Sequence, residues 1–177
     1  DAKAANLSAD AVLKNMATAY RNAKTYSDSG RLRFKLLRGE ENLDEAADFS
    51  VTFQRPNKLR MHLYQAIVVS DGKQMHSTVG DLEGQVLEVT APAEITMETL
   101  ASDEVLASVL NEGVAGPSAQ LGLLLADDAL DGILTGAKGA RLLEPQGIDG
   151  RTCVGVEIER EDGKLVFWID RESFVVR

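Results

Sequence analysis

The spacing of apolar residues changes period three times along the chain. From about Ser8 to Thr25 the apolar positions Leu13, Met16, Tyr20 and Ala23 recur every three to four residues, which predicts a helix with one buried stripe. Ser8 is placed to cap it, and Asp10 suits the positive end of its dipole. Ser27-Asp28-Ser29-Gly30 reads as the turn that follows. The period then becomes two. Leu32, Phe34 and Leu36 alternate with Arg31, Arg33 and Lys35; Phe49, Val51 and Phe53 with Ser50, Thr52 and Gln54; Leu59, Met61 and Leu63 with Arg60, His62 and Tyr64. Such alternation predicts strands that bury one face and show water the other. A charged connection, 39–45, separates the first two, and Arg55-Pro56-Asn57-Lys58 turns between the last two. The runs 67–70 and 74–79, joined by Asp71-Gly72, form a hairpin, and 85–90 follows the Gly80-Asp81 turn, for a meander of about six strands.

Helical spacing then returns. Ser102 can cap a helix with Val105, Leu106, Val109 and Leu110 on its stripe, ended by Gly113. Gly116-Pro117-Ser118 opens another, with Leu121, Leu124 and Leu125 facing inward, and a short turn over 129–134 follows. The last third alternates again: 140–144, 152–160 and 164–170 read as strands with hairpin turns at Asp149-Gly150 and Asp162-Gly163, and 173–177 begins one more. The order of helix, six strands, two or three helices and four strands predicts an α+β fold, with helices grouped to one side of a mostly antiparallel sheet. At 177 residues the chain fits a single domain, 1–177, and its last strand suggests excision from a longer chain.

Charge narrows the partners. The net charge is -9, which excludes a nucleic-acid backbone as partner, because phosphate binding needs a cationic footprint. It also opposes adhesion to an anionic membrane, though not apolar contact with lipid. No apolar run approaches the roughly 18–20 residues that span a bilayer. A start at Asp1 without Met suggests an exported protein whose targeting segment has been removed, hence a periplasmic or otherwise exported location. The single cysteine, Cys153, rules out an internal disulfide and reads as a small buried hydrophobe.

Catalytic patterns are sparse. His62 and His76 would need a carboxylate such as Asp81 to make a metal site, and neither lies in a His-Glu-x-x-His helix. There is no Gly-x-Ser-x-Gly elbow, and 132–139 is not a phosphate loop. Acidic pairs such as Asp127-Asp128 read as solvated turns. We therefore expect no enzyme activity, no cofactor and no metal. What remains is apolar surface, with only 5% of residues aromatic. An ordinary close-packed core and an apolar cavity between sheet and helices would both produce this pattern.

Arg55-Pro56-Asn57-Lys58-Leu59-Arg60-Met61 and Val68-Val69-Ser70-Asp71-Gly72-Lys73-Gln74-Met75 resemble the periplasmic lipoprotein-carrier superfamily of LolA and LolB, in which an Arg-Pro strand turn is followed by a Val-Ser-Asp-Gly-Lys hairpin. The order of elements agrees over most of the chain, and the likeness is nearest to uncharacterised LolA-like periplasmic proteins of bacteria, some of them fused to a thioredoxin-like domain. The resemblance implies a curved antiparallel sheet forming an incomplete β-barrel, covered on its concave face by helices. It implies a cavity for lipid or lipoprotein acyl chains, lined by Leu32, Phe34, Val51, Phe53, Leu59, Met61, Leu63, Leu106, Leu110, Leu121, Leu124, Leu125 and Phe167. Helix 118–126 takes the place of the family's lid, and Arg55 matches the Arg that holds it. The chain departs from the family in its few aromatics, in Met75-His76 after the hairpin Lys, and in lacking LolB's membrane-inserting loop. The alternative is a protein-interaction or sensory module of the cell envelope, with a filled core and a protein partner or fused C-terminal domain.

Overall fold

The computed structural model describes residues 7–38, 41–63, 65–80, 84–102, 104, 107, 116–161 and 163–177. The chain divides into two compact units, residues 24–126 and residues 1–23 with 127–177.

The first unit is a six-stranded antiparallel meander, β1 (Thr25–Arg38), β2 (Glu41–Gln54), β3 (Lys58–Leu63), β4 (Ala66–Asp71), β5 (Gln74–Val79) and β6 (Leu87–Thr90), in sequence order, with α2 (Met97–Leu100) and α3 (Gly116–Leu125). Register follows the hydrophobic alternation. Phe53 faces Leu59 and Val51 faces Met61 across β2–β3, and Met61 faces Val68 across β3–β4. Opposed residues point to the same face, so these side chains form one apolar layer, and all five are buried. The other face carries Lys58, Arg60 and His62, all exposed. The β4–β5 turn is fixed by Asp71, whose Oδ1 accepts the N–H groups of Lys73 and Gln74 at 2.7 and 2.9 Å, while Gly72 takes φ +94°. Those two bonds hold the Asp71 carboxyl below its ordinary pKa, the Gln74 N–H contributing most.

The turn expected at Ser27–Gly30 is instead part of β1. Tyr26, Asp28 and Gly30 pair with Phe53, Val51 and Phe49. Polar composition argued for a turn, but the partner strand settles the matter: the Phe49 ring lies where a Gly30 side chain would be, 2.7 Å from its Cβ position. An aromatic covering a cross-strand glycine supplies the packing that glycine lacks.

The C-terminal half of α3 is almost wholly leucine. Leu121, Leu123, Leu124 and Leu125 are each no more than 5% exposed. A helix buried on several sides has no polar face to give to solvent, which is why its leucines are nearly consecutive.

The second unit contains α1 (Ala9–Asn22), α4 (Ala129–Leu134) and a four-stranded antiparallel sheet of β7 (Ala137–Leu142), β8 (Gln146–Ile148), β9 (Arg151–Arg160) and β10 (Lys164–Asp170). α1 starts where expected: Ser8 Oγ accepts the Ala11 N–H at 3.2 Å, and Ala9, Val12, Leu13, Met16 and Tyr20 are buried. It packs on α4, β7 and β9. β10 pairs one edge of β9, while β7 and β8 succeed each other along the opposite edge. Asp149 and Gly150 both take positive φ, 49° and 75°, as a two-residue primed turn requires. The strands of the last third pair among themselves, with short hairpins joining β8 to β9 and β9 to β10. Among the described residues the fold is α+β with two antiparallel sheets, neither closed into a barrel.

Candidate functional site

The polar centre of the first unit is the β2–β3 turn. Arg55 Nη2 donates to the Leu124 carbonyl at 2.7 Å. That carbonyl belongs to the last turn of α3, where the helix itself supplies no partner. Arg55 Nη1 lies 3.6 Å from Glu94 Oε1, and the guanidinium sits over the Phe53 ring, 5.4 Å from its centroid. One planar cation thus joins the end of α3, the 91–96 segment and the apolar layer, a task that suits Arg better than Lys. The turn's backbone is tied too. Arg55 N–H donates to Lys24 O at 3.0 Å, and Pro56 O accepts the Ile95 N–H at 3.0 Å. Asn57 Nδ2 donates to Gly72 O and Pro92 O, and Ser70 Oγ donates to Asn57 O at 2.7 Å.

Of the residues expected to line a cavity, Val51, Phe53, Leu59, Met61 and Leu63 share the buried layer of β2 and β3. Leu121, Leu124 and Leu125 are buried on α3, and Leu121 and Leu124 face Phe49 and Val51. Leu106 and Leu110 lie outside the described residues, and the side chains of Leu32 and Phe34 outside the described side chains. Phe167 is buried in β10, paired with Val156 within the second unit. Its alternation with Leu165 and Ile169 marked a buried face without saying which sheet owned it.

The space beneath α3, also touched by Tyr26, Asp28 and Gln120, amounts to about 10 Å³. That is the size of one water. Asp28 was hidden from the sequence reading by the turn assignment. It accepts a 3.0 Å bond from Tyr26 Oη on the inner face. Glu94 and Asn57 were also missed; only Asn57, inside the Arg-Pro-Asn-Lys turn, had a local signal.

The histidines do not converge on a metal. His62 is exposed, and His76 Nδ1 lies 4.0 Å from Glu88. Asp81 lies outside the described residues. Among the described residues no cluster of three or more His, Cys, Asp or Glu could hold an ion. Cys153 is fully buried, and burial raises its thiol pKa, with the Asp170 charge adding to the effect. No helix among the described residues is long and apolar enough to cross a membrane.

Residues 9–176 match a family described as predicted periplasmic protein, DUF2092. The chain belongs to the DUF2092 family. This DUF2092 protein is accordingly periplasmic or exported. Its sequence matches none of the curated proteins. Among solved structures, it is similar to a DUF1329 family protein from Desulfovibrio piger at 12% identity and a TM-score of 0.34, covering 95% of this chain and 70% of that one.

Proposed function

We propose that this DUF2092 protein is a periplasmic binding module, not an enzyme, that holds an acyl chain of a lipid or lipoprotein against the apolar inner face of β2–β4. α3 covers that face and Arg55 latches it. The 2.7 Å bond from Arg55 to Leu124 O carries this reading, because it puts a polar clasp at the leucine-rich end of α3. The likeness of the Arg-Pro turn and the Ser-Asp-Gly-Lys hairpin to the LolA and LolB carriers supports it. On this reading α3, which leaves only about 10 Å³ beside Phe49 and Val51, is the element that an acyl chain displaces.

Titration with a fluorescent long-chain fatty acid tests the proposal, together with native mass spectrometry of gently purified protein. The expected result is saturable one-to-one binding, displaced by palmitate and altered by Arg55→Ala. Absence of both copurified lipid and probe binding would overturn it.

The small space of about 10 Å³ beneath α3 favours a second reading, an envelope module with a filled core that binds a protein partner or fused domain. In that case probe binding fails while the full-length chain still recovers a specific partner from periplasmic extract.

A further inference from the structure

A second cavity lies wholly within the other unit, and its argument is independent of the proposed lipid site. It measures about 130 Å³ and is walled by Val12 of α1, Leu142 and Leu143 at the end of β7, Val154 of β9 and Phe174 from the turn after β10. Leu142, 40% exposed, marks its open side. An apolar cavity of about 150 Å³ stays dry and takes up benzene, because a water there finds too few polar partners.

The backbone around this cavity has its hydrogen bonds committed elsewhere. Leu143 N–H donates to Gly155 O at 2.8 Å, Arg171 N–H to Thr152 O at 3.1 Å and Phe174 N–H to Asp170 O at 2.9 Å, while Val12 N–H donates to Ser8 O at 3.0 Å inside α1. Pro145, also in the wall, has no N–H to offer. Arg171 reaches the wall too, but it already has a partner of its own, so no ionic contact to a ligand is assigned to it. A charged or strongly polar ligand would lose its water here without gaining partners. The walls are also fixed in place. Asp170 is 1% exposed, and its Oδ1 accepts the N–H groups of Glu172 and Ser173 at 2.8 and 3.0 Å, which sets the turn after β10. Phe174, in that turn, sits at φ +57°, a left-handed conformation that a bulky residue adopts only when its surroundings impose it. Such strain clusters at ligand clamps.

We propose that this cavity binds a small neutral hydrocarbon body, aromatic or branched, of about benzene size. It enters beside Leu142 and lodges between Val12, Val154 and Phe174. Volume sets the size of the ligand, and walls without spare donors set its neutrality.

Methyl NMR titration of the whole chain with benzene tests this, reading Val12, Leu142, Leu143 and Val154, with sodium benzoate as the same ring carrying a charge. Benzene is expected to shift these methyls saturably with a Kd of about 1 mM or tighter, and benzoate to bind at least about tenfold more weakly. Val154→Ile, which adds one carbon to the wall of a strand that keeps its β-branched residue, should weaken benzene about threefold, and Val154→Phe, which fills the space, should abolish its binding. An unchanged amide spectrum away from the cavity shows that each variant is folded. The proposal fails if benzene gives no saturable shift at these methyls, if benzoate binds as tightly as benzene, or if the folded Val154 variants bind benzene as well as the parent.

Discussion

Replacing Arg55 by Ala removes at least three interactions at once, and the sum of these three can be set against local opening of α3. The bond to Leu124 O joins a charged donor to a neutral carbonyl, a class that contributes about 1.5–3 kcal/mol. The Phe53 ring adds about 0.5–1 kcal/mol. The Glu94 pair adds little, since Glu94 is 59% exposed and water screens it. The expected loss is about 2–4 kcal/mol, of which the Leu124 bond, about 1.5–3 kcal/mol, falls on the position of α3. Hydrogen exchange of the amides of Leu121 to Ala126 reads that position directly. A loss of about 2 kcal/mol corresponds to exchange roughly 30-fold faster there, against little change in the outer strands. Arg55→Lys keeps the charge but loses the fork, and should fall between parent and Ala. Unchanged protection of α3 in Arg55→Ala, in a protein that still folds, would refute the assignment of Arg55 as its clasp.

Gly155 and Asp170 give two further tests. A Cβ on Gly155 would lie 2.8 and 2.9 Å from the Trp168 ring and 3.0 Å from Leu143 Cβ, so Gly155→Ala must displace the only tryptophan; we expect a destabilisation of about 1–3 kcal/mol in urea with a shifted tryptophan emission in the native state. For Asp170, the Ser173 N–H, with help from Glu172 and Arg151 and against the cost of burial, lowers the folded pKa below 3.8. A depressed carboxyl pKa contributes stability that is complete above the unfolded value and vanishes as pH falls through the folded one. Asp170→Asn should therefore be about 1–3 kcal/mol less stable than the parent near neutral pH, with the gap closing in acid below pH 3.8; a gap that stays constant would show that the charge plays no part.

The strands were legible because β2 to β5 each bury one face, so alternation in the sequence maps onto register without ambiguity. The Asp71-Gly72 and Asp149-Gly150 hairpins were legible for a local reason: Gly72, Asp149 and Gly150 take the positive φ that favours those residue types. What was lost needed partners far along the chain. Ser27–Gly30 is strand only because Phe49 and Thr52 lie opposite it, and Phe167 could not be assigned to a sheet from its own alternation. The Arg55 contact spans 69 residues to Leu124 and came from family likeness rather than from any periodicity. The cavity beside Arg171 left no sequence signal, because its walls come from α1, β7, β9 and the turn after β10, and Phe174 reads as an ordinary strand residue.

On the proposed reading, ligand binding is an exchange, and that sets a length threshold on the acyl chain. Lifting α3 exposes at least Leu121 and Leu124, which are each 2% exposed and pack toward Phe49 and Val51, and the buried Leu123 and Leu125 can only add to the cost worked from this pair. Each buried leucine contributes about 1.5–3 kcal/mol, so the pair contributes about 3–6 kcal/mol. With about 2 kcal/mol for the Arg55 clasp, opening costs about 5–8 kcal/mol, and the empty open state is populated at about 10⁻⁴ to 10⁻⁶. A ligand offsets that only through its own burial, at about 0.8 kcal/mol per methylene. Eight carbons supply about 6 kcal/mol, comparable with the opening cost and leaving almost nothing for binding; sixteen supply about 13 kcal/mol. Displacement of a fluorescent fatty acid by saturated acids of increasing length should therefore show no competition from octanoate and strong competition from palmitate. In Arg55→Ala the threshold should move down by about two to three carbons, the clasp energy divided by the value of a methylene. Octanoate that competes as well as palmitate would mean that no helix has to be displaced, and the lid reading would fall even if lipid binds.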